Sequence, residues 1–168
     1  VLPLAFIYMF LQEIPMFQIT LEEAIPAPKK VVWDVICDTN EYPDWNKFVI
    51  ACHSSFEVGA PIVMKVKVLP FMAMRQKESV RQNIKGELLE YGIQIPFGIL
   101  YSSRKHILKS IDENTTRYQS VFILDGILSP VVGMLLGKQL RRGFSDMTDG
   151  IVSRSLKKHT AQAAQQSA

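Results

Sequence analysis

An α+β domain is what the order of signals along this chain predicts: one strand, two short helices, six more strands and a long closing helix. Three observations carry that expectation. Apolar and polar residues alternate in runs from Phe48 to Asp125, the breaks between the runs are too short for crossover helices, and sustained helical spacing returns only after Ser129.

The first alternating run is "FQITLEEAI", Phe17 to Ile25. "PAPKKVVWDVICD" follows as a helix, with Pro28 suited to its first turn and Val32, Val35 and Ile36 on one face at i, i+3 and i+4. In "TNEYPDWN" the cap-like Thr39 and the break at Pro43 predict a second, short helix. The strands that come next are "FVIACHSSF", "PIVMKVKVL", "MAMRQKESVRQ", "ELLEYGI", "LYSSRKHILKSI" and "TTRYQSVFILD". Between them stand "EVGA", "PF", "NIKG", "QIPFG" and "DEN", turn-rich or short enough to join antiparallel neighbours.

The closing helix starts with Ser129 as its cap and Pro130 where a missing N–H costs nothing. Leu136, Leu140, Phe144, Met147 and Ile151 fall within an arc of about 80°, with Lys138, Arg142, Ser145 and Asp149 on the other side. The stripe ends at Arg154 and Lys158, which predicts that the last turns leave the body and that the tail "AQAAQQSA" frays. Gly133, Gly137 and Gly143 interrupt this helix, each costing about 1 kcal/mol against alanine. Gly133 and Gly143 project on the side of the stripe, so they either leave space beside it or allow close packing against the sheet.

A length of 168 residues suits one domain, and a net charge of +3 is too small and scattered to predict nucleic-acid binding. Cys37 and Cys52 lack metal-ligand spacing and are too few for a disulfide scaffold, so reduced thiols in a cytoplasmic protein are expected. The apolar opening "VLPLAFIYMFL" is too short to span a bilayer, which takes about 20 apolar residues. It is read as a segment packed on the domain or a partner, an interfacial attachment that would make the protein membrane-peripheral, or a targeting or non-native leader. The expected organisation is an apolar extension over residues 1–15, a domain over 16–160 and a polar tail over 161–168.

Two blocks resemble the START-like (SRPBCC) superfamily of ligand-binding proteins, which includes polyketide cyclases and lipid carriers. "IPAPKKVVWDVICDTNEYPDWN" looks like its strand-end and helix block, with Val32-Trp33, Asp38, Tyr42 and Trp45-Asn46 in the expected places. "TRYQSVFILDGILSP" and "LRRGFSDM" look like its last strand and closing helix. Lys47 stands where many members have proline, and Phe122 where many have a glutamate. The resemblance implies the helix-grip fold, a curved seven-stranded antiparallel sheet wrapped around the C-terminal helix with a cavity between. Trp33 and Trp45 are expected to serve packing.

A three-residue hairpin at "DEN" sets Leu108 opposite Tyr118, His106 opposite Ser120 and Arg104 opposite Phe122. The interior face is then the one without lysines, carrying Arg104, His106, Leu108, Tyr118, Ser120, Phe122 and Leu124. In "PIVMKVKVL" the same logic turns Ile62, Met64, Val66 and Val68 inward, and Leu89 and Tyr91 join them. His53 is expected outside. The candidate ligand site is therefore an apolar body of Met64, Val66, Phe122, Leu140, Phe144 and Met147, with Arg104, His106, Tyr118 and Ser120 at a polar end and Tyr91 as a further ligand-lining residue.

No phosphate-binding glycine loop, metal-binding motif or nucleophile motif stands in the sequence, and neither metal nor cofactor is expected. The favoured reading is a binder or carrier of a hydrophobic small molecule or lipid. One alternative is a cyclase or aromatase-like enzyme using His106, Arg104 and Tyr118 as its acid–base and positioning groups. The other is a membrane-peripheral or partner-binding module acting through residues 1–11.

Overall fold

In the computed structural model, which describes residues 16–69 and 71–166, the chain begins as an edge strand, β1 (Phe17–Ile25). The expected extension over residues 1–15 lies outside the described residues. After β1 come α1 (Lys29–Cys37), a 3₁₀ turn (Thr39–Glu41) and α2 (Tyr42–Trp45). Pro28 is the N-cap of α1 rather than a residue of its first turn, and Val32, Val35 and Ile36 are fully buried on one face. The strands β2 (Val49–His53), β3 (Pro61–Leu69), β4 (Met72–Ile84), β5 (Leu88–Gly92), β6 (Gln94–Ile95), β7 (Leu100–Ser110) and β8 (Thr116–Asp125) follow, and α3 (Ser129–Gln166) closes the chain.

All pairings are antiparallel, in the order β1-β8-β7-β5-β4-β3-β2, with the two-residue β6 paired to β7 off that path. α1 and α2 thus carry the chain from one edge of the sheet to the other. Register shifts in the β2–β3, β3–β4 and β4–β5 ladders add residues to one strand of each pair, which bends and twists the sheet. The product is the α+β helix-grip fold, a curled sheet of seven main strands around a long C-terminal helix.

The expected β2 is cut short. Ser54 Oγ accepts from the Phe56 N–H, and Phe56 turns left-handed at φ 57°, which ends the pairing at His53. β6 was not expected at all, because it lies in the turn-like stretch "QIPFG". It forms where Arg81 donates to the Ile93 and Ser102 carbonyls and the Ser102 hydroxyl accepts from the Ile93 N–H.

α3 packs its stripe of Leu140, Phe144, Met147 and Ile151 into the sheet. Ser129 starts the helix, but its Oγ is buried with no partner, so the expected side-chain cap is not made. Contrary to expectation, the helix does not leave the body after Ile151. Ser155 is fully buried, Arg154 pairs with Glu41 at 2.8 Å, and Lys158 pairs with Glu41 at 2.8 Å and Asp38 at 3.6 Å. These bonds from Lys158 and Arg154 hold the Glu41 carboxyl below its usual range. The tail does not fray after Thr160 either. It continues as helix through Gln166, consistent with the high helix propensity of its Ala and Gln residues.

The glycines of α3 are docking points for aromatic rings. A Cβ on Gly133 or Gly137 would stand 3.0 Å from the Phe17 ring, one on Gly143 would stand 2.2 Å from Phe48, and one on Gly150 2.7 Å from Trp45. Close packing, not free space, is what the missing side chains provide. Trp33 is buried in the same core, and Trp45 packs against it from the α2 side.

Candidate functional site

Between the concave sheet and α3 lies a cavity of about 140 Å³. β3 contributes Met64, Val66 and Val68, β4 Met74, Gln76 and Glu78, β5 Tyr91, β7 Ser102 and Arg104, and β8 Phe122 and Leu124. α3 closes it with Val132, Leu136, Leu140, Phe144 and Met147, and Phe48 and Val49 seal the flank at β2. The Phe144 ring meets Phe48 edge-on at 5.0 Å and Phe122 at 4.7 Å, so one aromatic cluster forms much of the wall.

The β7–β8 register is the one the turn predicts, with Arg104 opposite Phe122, His106 opposite Ser120 and Leu108 opposite Tyr118. Of the candidate residues, Met64, Val66, Tyr91, Arg104, Phe122, Leu140, Phe144 and Met147 lie on the cavity wall. His106, Tyr118 and Ser120 share the inward face, but they sit one layer behind, each at most 1% exposed. His53 is on the outside, as expected.

Those three residues and their neighbours form one connected hydrogen-bond chain. Arg104 Nη1 donates to Ser120 Oγ at 2.7 Å and to the Val121 carbonyl at 3.3 Å, and Nη2 donates to the Tyr118 hydroxyl at 3.5 Å. Tyr118 meets His106 Nδ1 at 2.9 Å, and His106 Nε2 meets the Tyr91 hydroxyl at 3.3 Å. A guanidinium has donors only, so the Tyr118 oxygen accepts from Arg104, while the direction of its second bond, to Nδ1, follows the imidazole tautomer. A neutral imidazole donates from one nitrogen and accepts at the other, so Tyr118 and Tyr91 take opposite roles toward it.

Burial, reinforced by the Arg104 charge, pushes the His106 imidazole well below its ordinary range, so it is neutral at neutral pH. Burial also raises Tyr118 and Tyr91, with Arg104 opposing it in both. Arg104 is 3% exposed, its guanidinium lies 4.6 Å over the Phe144 ring, and its Nε is buried with no hydrogen-bond partner.

Glu78 is an ionisable group on the wall that sequence reasoning missed. Half-buried on the cavity wall, its carboxyl is raised to about 7 by burial, against the lowering influence of Arg81 and Arg104. Gln76 and Ser102 are further polar groups on the same wall. Among the described residues no group of three or more His, Cys, Asp or Glu side chains could hold a metal, and no helix is long and apolar enough to cross a membrane. Cys37 and Cys52 are free thiols, each raised by burial to about 12, which keeps them protonated and poorly nucleophilic.

Apolar side chains stand exposed on and next to several elements that line the cavity. Met74 on its wall is 39% exposed, and beyond it Phe71 in the β3–β4 turn is 85% exposed. On the facing side Met134 in the first turns of α3 is 79% exposed, and Phe97 before β7 is 93% exposed.

No sequence-family profile matches the chain, and no curated protein matches it by sequence. Solved structures do match. The Zhui aromatase/cyclase of a Streptomyces species superposes with a TM-score of 0.64 at 14% identity, over 89% of this chain and 96% of that one. Norcoclaurine synthase from Thalictrum flavum gives 0.64 at 15% identity, over 85% and 88%. A START superfamily protein from Mycobacterium smegmatis gives 0.60 at 16% identity, over 83% and 97%. The fold is therefore the START-like helix-grip fold, shared with proteins of 14–16% sequence identity.

Proposed function

We propose that the protein binds and carries a hydrophobic small molecule or lipid in the cavity between the sheet and α3. One observation carries this reading: the wall is apolar over most of its area, and its polar groups are gathered on β4, β5 and β7. The size sets a bound on the resting state. A cavity of about 150 Å³ holds benzene, so 140 Å³ accepts a single ring or a short acyl stretch without rearrangement. A longer lipid needs the wall to yield, and Met64, Met74 and Met147 are unbranched side chains able to repack. The free, protonated thiols support a reducing, cytoplasmic setting.

Enzymatic relatives in the fold keep a second reading open, a cyclase or aromatase-like activity at the polar end. What favours it is the continuous chain from Arg104 through Tyr118 and His106 to Tyr91. What favours the carrier is that His106 and Tyr118 lie behind the wall with no exposure, out of reach of a ligand in the cavity. Titration with a hydrophobic fluorescent probe, alongside native mass spectrometry of the purified protein, tests the carrier. Saturable uptake that Leu136→Trp blocks while the fold is kept is the expected result; probe binding indifferent to that substitution would place the ligand elsewhere.

A further inference from the structure

The polar end of the cavity holds a buried donor without an acceptor. Tyr91 and Arg104 are direct cross-strand partners on β5 and β7, so their side chains stand side by side on the inward face. The Tyr91 hydroxyl has only a long, 3.3 Å contact with His106 Nε2, and Arg104 Nε is buried and unpartnered. None of the ion pairs among the described residues involves Arg104. A buried guanidinium with an unused donor is costly unless an anion or a strong acceptor completes it. Glu78 does not complete it: it makes no ion pair and no hydrogen bond, although it faces the same cavity from β4.

We propose that Tyr91 and Arg104 form a seat for the carboxylate of a small apolar acid, and that Glu78 gates this seat by repelling the anion whenever it is itself ionised. The proposal rests on the cavity being the ligand site and adds to it the ligand's chemical class, a monocarboxylate on one ring or a short chain. With Glu78 protonated, Arg104 faces the cavity as an uncompensated cation. With Glu78 ionised, the incoming carboxylate meets a like charge across the same low-dielectric space. Acid uptake at higher pH therefore brings a proton with it, taken up by Glu78.

The groups electrostatically coupled to Glu78 are Arg81 on its own strand, Arg104 on β7, Tyr91 on β5 and Cys52 on β2. The two guanidiniums carry fixed charge. Burial raises Tyr91 and Cys52 and lowers His106 well below its ordinary value, so none of these titrates near neutrality. Glu78, raised to about 7, is the one wall group placed to change charge there.

The test uses benzoate and toluene on the whole chain. Benzoate is anionic throughout the range, and its affinity should fall about tenfold or more between about pH 6.5 and pH 8.5. Toluene affinity should stay flat. Glu78→Gln should remove the benzoate slope, and Tyr91→Phe should weaken benzoate by roughly tenfold or more while sparing toluene. Calorimetry at about pH 8 in buffers of different ionisation enthalpy should show proton uptake with benzoate that Glu78→Gln abolishes. Toluene binding with benzoate excluded at every pH would overturn this proposal and leave the cavity reading standing. A benzoate slope that survives Glu78→Gln would also overturn it, and failure of both probes to bind would overturn the two together.

Discussion

His106 is an acid liability in the site. Its imidazole is neutral in the folded state and depressed by burial and by Arg104, whereas an exposed histidine titrates near the ordinary 6.5. The unfolded chain therefore binds a proton the folded one refuses. The associated stability is fully present above that value and is lost as pH falls below it. Thermal melts from neutral pH down to about 5 should show a steep loss that His106→Asn flattens. Glu78 acts with the opposite sign. Its folded value of about 7 lies above the ordinary 4.5, so the folded state holds the proton more tightly and stability falls as pH rises from 4.5 through 7. Glu78→Gln should thus raise Tm at pH 8, by an amount on the order of 2 kcal/mol or a few degrees, and leave it near wild type at pH 4.

The same two residues show what the sequence discloses at this scale. His106 is legible as inward because the "DEN" hairpin keeps a simple register, although alternation gives a face and not a depth, and so the sequence does not place His106 behind the wall. Glu78 is hidden by a bulge. Leu69 pairs with Met72, and counting back from that turn would set Lys77 opposite Met64. The shift between Val66 and Leu69 puts Gln76 there instead, which turns Gln76 and Glu78 inward and the lysine out. In a strand as evenly polar as "RQKES", no alternation survives to reveal the inversion.

At the scale of elements, α3 is held by rings seated on its glycines and by the turn that delivers one of them. Asn46 leaves α2 with its Oδ1 accepting from the Phe48 N–H at 3.1 Å and the Val49 N–H at 2.8 Å, which launches β2 and aims Phe48 at Gly143. Asn46→Ala strands two N–H groups in a buried turn and should cost about 1–3 kcal/mol in denaturant unfolding. Gly143→Ala should cost about 1–3 kcal/mol by overpacking, since a ring at 2.2 Å in the core has nowhere to go. Combining it with Phe48→Ala should cost less than the sum of the two single changes; strict additivity would show that the ring and the glycine do not meet. The helix and its stripe are plain in the sequence, but the choice between space and contact at each glycine depends on which aromatic arrives from a distant element. Phe17 comes from β1, and Trp45 and Phe48 come from the junction of α2 and β2.

For the whole molecule, the order of strands and helices was legible because antiparallel neighbours follow one another in sequence from β2 to β8. The closure of β1 onto β8 was not written in any local pattern, and it entered through the resemblance to the START-like fold. With β1 beginning at Phe17 and pairing along its full length with β8, we expect removal of residues 1–15 to leave a single cooperative thermal transition. Loss of that transition would make the opening segment part of the domain's core.

The seating of Phe48 on Gly143 also bears on how fast a bound molecule could leave. The ring is pinned by the helix on one side, by Phe144 on another, and by Asn46 through its own backbone. That flank has no slack. In the carrier reading we expect release at another margin, between Met74 and the first turns of α3, where Met74 and Met134 are exposed. Residence time then becomes a property of the β3–β4 turn and the start of the helix. Substitutions there would change off-rate and on-rate together, shifting the speed of exchange while the equilibrium affinity, set deeper in the cavity, stays where it was.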